Sequence, residues 1–323
     1  MAVLDWLLQS DPAIRWQVLR DLTNTPPDII AAERARVAAE GWGAQLLALQ
    51  DQDGYWAGGA CFPAQSFHWR DEGDGQPWTS TLPTLQLLWE FGIDPHAPAV
   101  RRAIASVHAN CRWEHDNQPF FEGEVEPCIN GRTVALGAYF GIDTTPIVER
   151  LLAEQLPDGG WNCEAERGSV RSSFHTTINV LEGLLQYEHA TGGSPQLKAA
   201  RRRAEEYLLE RALFRRKATR DVISPAWLQF SFPPRWHYDI LRALDYFRHA
   251  HAAHTPDPRL DEAIQLVRDK QQSDGLWPLE NTHPGRIHFP LENGDNRPSR
   301  WNTLRALRVL RWYDQLPPHD LPA

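Results

Sequence analysis

The sequence predicts an all-α fold, a single (α/α)6 toroid of six inner and six outer helices over residues 1–323. Three observations predict it: a recurring Asp-Gly-x-Trp turn, apolar helices opened by a small polar residue, and amphipathic helices with charged faces between them.

The turn occurs as Asp53-Gly54-Tyr55-Trp56, Asp158-Gly159-Gly160-Trp161 and Asp274-Gly275-Leu276-Trp277. Each follows glutamine at a helix end: Gln50 and Gln52, Gln155, then Gln271 and Gln272. Glycine after aspartate stops a helix, and the tryptophan behind it can fold back so that its indole packs on the helix just ended. Each turn is expected to clamp one helix pair.

The apolar helices are read at residues 14–19, 79–85, 133–140, 177–184, 238–244 and 303–307. Thr79, Ser80 and Thr81 supply a polar start to the second, where Pro83 is tolerable in a first turn. Amphipathic helices are read at 31–49, 100–110, 147–156, 197–213 and 260–270. Helices apolar nearly all round belong inside and those with a charged face outside, so alternation closes into a two-layered ring. No Pro/Gly/Ser-rich linker divides the chain: 191–195 reads as a surface turn and 316–320 as a loose end after the last helix.

Composition narrows the function classes. The chain is 42% hydrophobic and 23% charged, as a globular protein with a sizeable core is. Net charge is −9, and Arg201, Arg202 and Arg203 alternate with Glu205, Glu206 and Glu210 as on a solvated helix face, which excludes nucleic acid as the expected partner. No apolar run approaches the roughly 18–20 residues of a membrane span, and no basic segment precedes an apolar one at the N-terminus, so a cytoplasmic protein is expected. Cys61, Cys111, Cys128 and Cys163 are too sparse for a disulfide scaffold and read as reduced thiols.

With its glutamine, Asp-Gly-x-Trp turn and inner helix repeated along most of its length, the chain resembles the terpenoid cyclase and protein prenyltransferase superfamily, the squalene-cyclase-like α/α toroids. The resemblance implies a deep apolar cavity for an isoprenoid-type substrate, lined by aromatics at the inner-helix starts, and leaves room for a partner subunit. Trp78, Phe174, Trp236, Tyr238 and Trp301 occupy such places. Facing a cavity, each ring can stabilise a carbocation by about 0.5–2 kcal/mol; the competing reading is that they pack core and loops.

Cyclases of this superfamily that protonate an alkene use an Asp-x-Asp-Asp motif, which this chain lacks. Asp71-Glu72-Gly73-Asp74 is the nearest approximation, its crowded carboxylates able to keep a proton, against the plainer reading of a solvated acidic turn. Asp239 is a second candidate acid in the first turn of an inner helix, where the helix dipole is expected to lower its pKa. The Asp-Asp-x-x-Asp cluster of diphosphate-ionising synthases is absent too.

The prenyltransferase β-subunits hold zinc with Asp-x-Cys before one inner helix and a histidine at the next. By that resemblance Glu126 and Cys128 before the 133–140 helix and His175 before the 177–184 helix are candidate ligands, with Cys163 a fourth. Two departures count against it: glutamate replaces aspartate, and Cys128 lies one helical turn out of register with His175. Without a metal, Cys128 and His175 form a nucleophile and base oriented by Glu126 or Glu124, and buried packing roles compete with both. The loop 280–289 is expected over the cavity mouth, where Arg286, His288, Arg297 and Arg300 would neutralise an anionic headgroup or pair with Glu280 and Glu292. Other classes for such a fold are a carbohydrate-active (α/α)6 enzyme, a lanthionine-synthetase-like zinc toroid, whose adjacent Cys-His pair is missing, and a non-catalytic toroid that binds a lipid or a partner.

Overall fold

A computed structural model describes residues 3–64, 75–253 and 255–316. The all-helical class is met: among the described residues extended chain pairs only as isolated bridges, such as Trp56 with Gly59. The order is α1 (Val3–Leu8), α2 (Pro12–Leu22), α3 (Pro27–Ala35), α4 (Gly41–Ala48), α5 (Thr81–Glu90), α6 (Pro98–Asn110), α7 (Pro127–Phe140), α8 (Thr145–Ala153), α9 (Phe174–Thr191), α10 (Pro195–Leu209), α11 (Ile240–Ala250), α12 (Asp261–Asp269) and α13 (Arg300–Tyr313). Among the described residues no helix is long and apolar enough to cross a membrane.

The six apolar segments lie in α2, α5, α7, α9, α11 and α13, and their first turns are almost wholly buried. Four of the five amphipathic segments lie in α6, α8, α10 and α12. The fifth, expected as one helix over 31–49, is broken into α3, a 3-10 turn Arg36–Ala38 and α4. Gly41 makes the break: its φ is +63°, and a Cβ there would meet the Asp11 carboxylate at 2.0 Å. That carboxylate caps two helices, accepting from Ala13 N at 2.9 Å and from Trp42 N at 2.8 Å.

The three Asp-Gly-x-Trp turns share one set of hydrogen bonds. Trp56, Trp161 and Trp277 are fully buried. Each indole N–H donates at 2.7 Å to a carbonyl of the preceding helix, those of Leu46, Leu151 and Val267. Each tryptophan backbone N–H donates to a threonine at the start of the next apolar helix: Thr81 at 3.2 Å, Thr177 at 3.1 Å, Thr303 at 3.0 Å. Gln50 and Gln155 donate to the turn glycine's carbonyl and to α6 or α10 at Ala103 and Ala200. Gln271 bonds Gly275 O at 3.3 Å. The repeat is therefore a clamp that ties the helix before the turn to the apolar helix after it through one buried tryptophan.

The chain forms two compact units. One comprises Met1–Trp42, Leu208–His283 and Pro290–Ala323; the other comprises Gly43–Tyr207 and Pro284–Phe289. In the first, α2 packs on α3 and α13, and α11 lies against α12 and α13. In the second, α7 packs on α9 more extensively than any other pair of helices, and α5 and α8 flank α7. Glycine makes that crossing close: a Cβ on Gly183 would lie 2.1 Å from Gly131 O, and one on Gly131 would lie 2.5 Å from Asn179 O. No side chain fits between the two backbones.

Candidate functional site

The close α7–α9 crossing draws together the first turns of two apolar helices. Glu126, extended in backbone, precedes α7, Pro127 takes its first position and Cys128 follows in the first turn. α9 opens with Phe174 behind Ser173, whose hydroxyl accepts from Thr176 N at 3.3 Å. Cys163 arrives from the Trp161 clamp, opening the 3-10 segment Cys163–Arg167 behind the Asn162 cap. A carboxylate oxygen of Glu126 and the sulfurs of Cys128 and Cys163 consequently lie within 4.8 Å of one another. The Cys128 thiol is 3.4 Å from Glu126 Oε2, and the Cys163 sulfur is 3.4 Å from Thr176 Oγ1.

The two thiols are not equivalent. The hydrogen bond to Cys163, with burial behind it, pushes the Cys128 pKa well up. Accepting that bond lowers the Cys163 pKa, against burial and with help from Thr176 and the Cys128 amide at the start of α7. Cys163 is thus the more acidic thiol of the pair. Cys61 and Cys111 are held up at about 12 by burial and are chemically quiet.

Two thiols and a carboxylate suit zinc in donor type, and three protein ligands leave a fourth tetrahedral position open. Of the four ligands proposed from sequence, His175 does not converge with the others. Thr176, one residue on and about 100° round the helix, is the group that α9 turns toward Cys163. The mismatch in register expected between Cys128 and His175 also disappears. α7 begins at Pro127, well before Thr133, so both residues take the second position of their helices.

The remaining candidates are held in other ways. Asp71, with Glu72 and Asp74, lies outside the described residues. Asp239 caps α11, accepting from Arg242 N at 2.8 Å. Its pKa is raised, not lowered: burial outweighs Arg305 and the helix-start hydrogen bonds. Trp78 is buried, its indole bonded to Pro284 O at 2.9 Å. Phe174 packs on Tyr207 with ring centroids 5.3 Å apart. Tyr238 is buried with its hydroxyl on Leu213 O, and Trp301 stacks on Phe232 at 4.3 Å. Trp236 remains half-buried, stacked on His237, which stacks in turn on His283.

In the loop 280–289, Glu280 pairs with Lys270 rather than an arginine. Arg286 uses its carbonyl to accept from Trp78 N, while its side chain is exposed, and His288 bonds Thr84 Oγ1 at 2.8 Å. Arg297 is exposed, and Arg300 lies over the Trp6 ring at 4.8 Å. One group of the site escaped the sequence reading: Thr176 adjoins His175 and carries no signature of its own. Glu292, read from sequence only as a pairing partner for arginine, has its pKa raised to about 7 by burial.

No family model and no curated protein sequence matches the chain. Among solved structures it is similar to the type II terpene cyclase MstE from Scytonema in its apo form, at 16% identity and a TM-score of 0.42 over 93% of this chain and 86% of that one. It is similar also to a variant of MstE in complex with geranylgeranyl dihydroxybenzoate, the substrate, at 16% identity and a TM-score of 0.44 over 94% and 87% of the two chains.

Proposed function

We propose that this chain is an enzyme of the terpenoid cyclase and prenyltransferase type that acts on an apolar, isoprenoid-type substrate at a zinc site formed by Glu126, Cys128 and Cys163. The convergence of these three donors within 4.8 Å carries the reading. It favours metal-assisted chemistry over alkene protonation, for which the chain has no Asp-x-Asp-Asp motif. The sequence resemblance supplies the substrate class.

When bound in an open tetrahedral site, zinc supplies Lewis acidity that lowers the pKa of a coordinated thiol or water. The chain's own residues do the rest. Cys163 offers the more acidic sulfur, with Thr176 Oγ1 3.4 Å from it, and the Glu126 carboxylate, 3.4 Å from the Cys128 sulfur, adds an oxygen donor. The Trp161 clamp and the α7–α9 crossing fix the segments that carry them.

Metal analysis of the purified protein, with Cys128→Ala and Cys163→Ala alongside, tests this. About one zinc per chain is expected in the parent and a large loss in either variant. Incubation with a panel of linear polyprenyl diphosphates and alcohols, read by mass spectrometry, is expected to give a product that falls with zinc occupancy. Metal-free parent protein after growth in zinc, or full zinc retention in Cys128→Ala, would overturn the site. Absence of turnover across the panel would overturn the substrate class.

A further inference from the structure

We propose that Cys128 and Cys163 are a reversible disulfide pair, so that a peroxide oxidant closes the site by joining its two sulfurs. The consequence for the site rests on the metal reading above; the bond itself does not.

The pairing follows from placement. The two cysteines come from separate segments, one in the first turn of α7 and one just after the Trp161 clamp, and their sulfurs lie within 4.8 Å. A disulfide needs the sulfurs to approach to about 2 Å, and rotation about χ1 is the motion that brings such neighbours together. Both are half-buried, within reach of a small oxidant, whereas Cys61 and Cys111 are buried. Each reactive sulfur also has an oxygen neighbour: the Glu126 carboxylate lies 3.4 Å from the Cys128 sulfur, and the Thr176 hydroxyl lies 3.4 Å from the Cys163 sulfur.

The chemistry balances with hydrogen peroxide as oxidant. Cys163 gives its proton to solvent and its sulfur attacks one peroxide oxygen; the O–O bond breaks, and the hydroxide that leaves takes up a proton as water. The Cys128 sulfur then attacks the sulfenic sulfur. The S–O bond breaks, the S–S bond forms, and the departing hydroxide takes the Cys128 proton by way of Glu126, leaving as a second water. Two thiols are oxidised by two electrons and one peroxide is reduced to two waters. Neither sulfur of the disulfide remains a thiolate donor, so Glu126 alone cannot hold a metal there.

The full chain, stripped of metal by a chelator, is treated with equimolar hydrogen peroxide, alkylated in denaturant and mapped by non-reducing peptide mass spectrometry. A peptide linking 128 to 163 is expected, reversed by dithiothreitol, with Cys61 and Cys111 alkylated. Cys128→Ser, folded by circular dichroism, is expected to lose the link and to accumulate a Cys163 sulfenic acid that dimedone traps. Cys128 and Cys163 both alkylated as thiols after peroxide, or linked instead to Cys61 or Cys111, would overturn the pairing. A zinc-loaded sample separates the two proposals. Slower linkage with zinc supports both, whereas equal rates with and without it leave the disulfide standing and count against the metal.

Discussion

Glu292 shows how an ordinary loop glutamate becomes an unusual acid. Burial raises its pKa to about 7, although the Ser299 hydroxyl and the backbone N–H groups of Arg300 and Trp301 all favour the charged form. In the folded protein it holds its proton up to near neutrality; in the unfolded chain it loses it near 4.5. Folding therefore takes up a proton between those values, and stability falls as pH rises from about 4.5 to 7, by roughly 3 kcal/mol in all. Glu292→Gln keeps the accepting oxygen and should remove that slope, which denaturant titrations at pH 5 and pH 8 would measure. An unchanged difference between the two pH values would refute the assignment. Asp239 illustrates the same limit on reading a sequence. Its place at a helix start was legible and implied a lowered pKa, but burial reverses the sign against the pull of Arg305 and Arg242, and no local pattern announces that burial. Cys128 and Cys163 were legible as donors by resemblance, whereas the choice of Thr176 over His175 depends on which way α9 is rotated.

At the scale of elements the helices were legible because apolar periodicity sets them, and the clamps because glycine and tryptophan carry the turn chemistry. The failed stretch, 31–49, has a helical pattern throughout; its break at Gly41 answers to the distant Asp11 carboxylate. The clamps make a sharp prediction. Trp161→Phe keeps most of the apolar volume but strands the Leu151 carbonyl, so a loss of about 1–3 kcal/mol is expected. Trp56→Phe and Trp277→Phe should cost similar amounts, since each indole makes the same bond at the same length. Thermal melts of the three variants would show it, and stability equal to the parent in all three would mean the indole bond is dispensable. At the α7–α9 crossing, Gly183→Ala forces a methyl against Gly131 O, and overpacking of about 1–3 kcal/mol is expected. Under the zinc proposal, a variant that still folds should also bind zinc more weakly, because Cys128 opens α7 and Thr176 of α9 lies against Cys163. Parent-like stability and zinc content in Gly183→Ala would show that the crossing tolerates a side chain.

At the scale of the molecule, one unit is gathered from three stretches of chain, and a buried ion network joins its α2, α11 and α13. Asp245 on α11 accepts from Arg248 at 2.8 Å and from Arg308 of α13 at 3.0 Å, and Arg308 reaches Gln17 of α2 at 3.0 Å. Arg311 adds a bond to the Asp21 carbonyl. Burial works against both carboxylates, yet Arg308 and Arg248 carry Asp245 well below the usual range, and Arg20 with the same two arginines carries Asp21 to about 2. Folded pKa values below the unfolded ones mean that this stability is present above about pH 4 and is lost as pH falls toward 2. His249, held neutral by burial with a pKa of about 3, begins its own loss below pH 6.5, so the network is read on the acid side of pH 4. Asp245→Asn leaves Arg308 and Arg248 buried without their carboxylate. A loss of about 3–5 kcal/mol is expected near neutrality, with a shallower acid limb than the parent's and faster amide exchange in α2, α11 and α13. Hydrogen exchange read helix by helix, together with acid titration of both proteins, would decide it, because a variant with the parent's stability and acid limb would mean that apolar packing alone holds these three helices together.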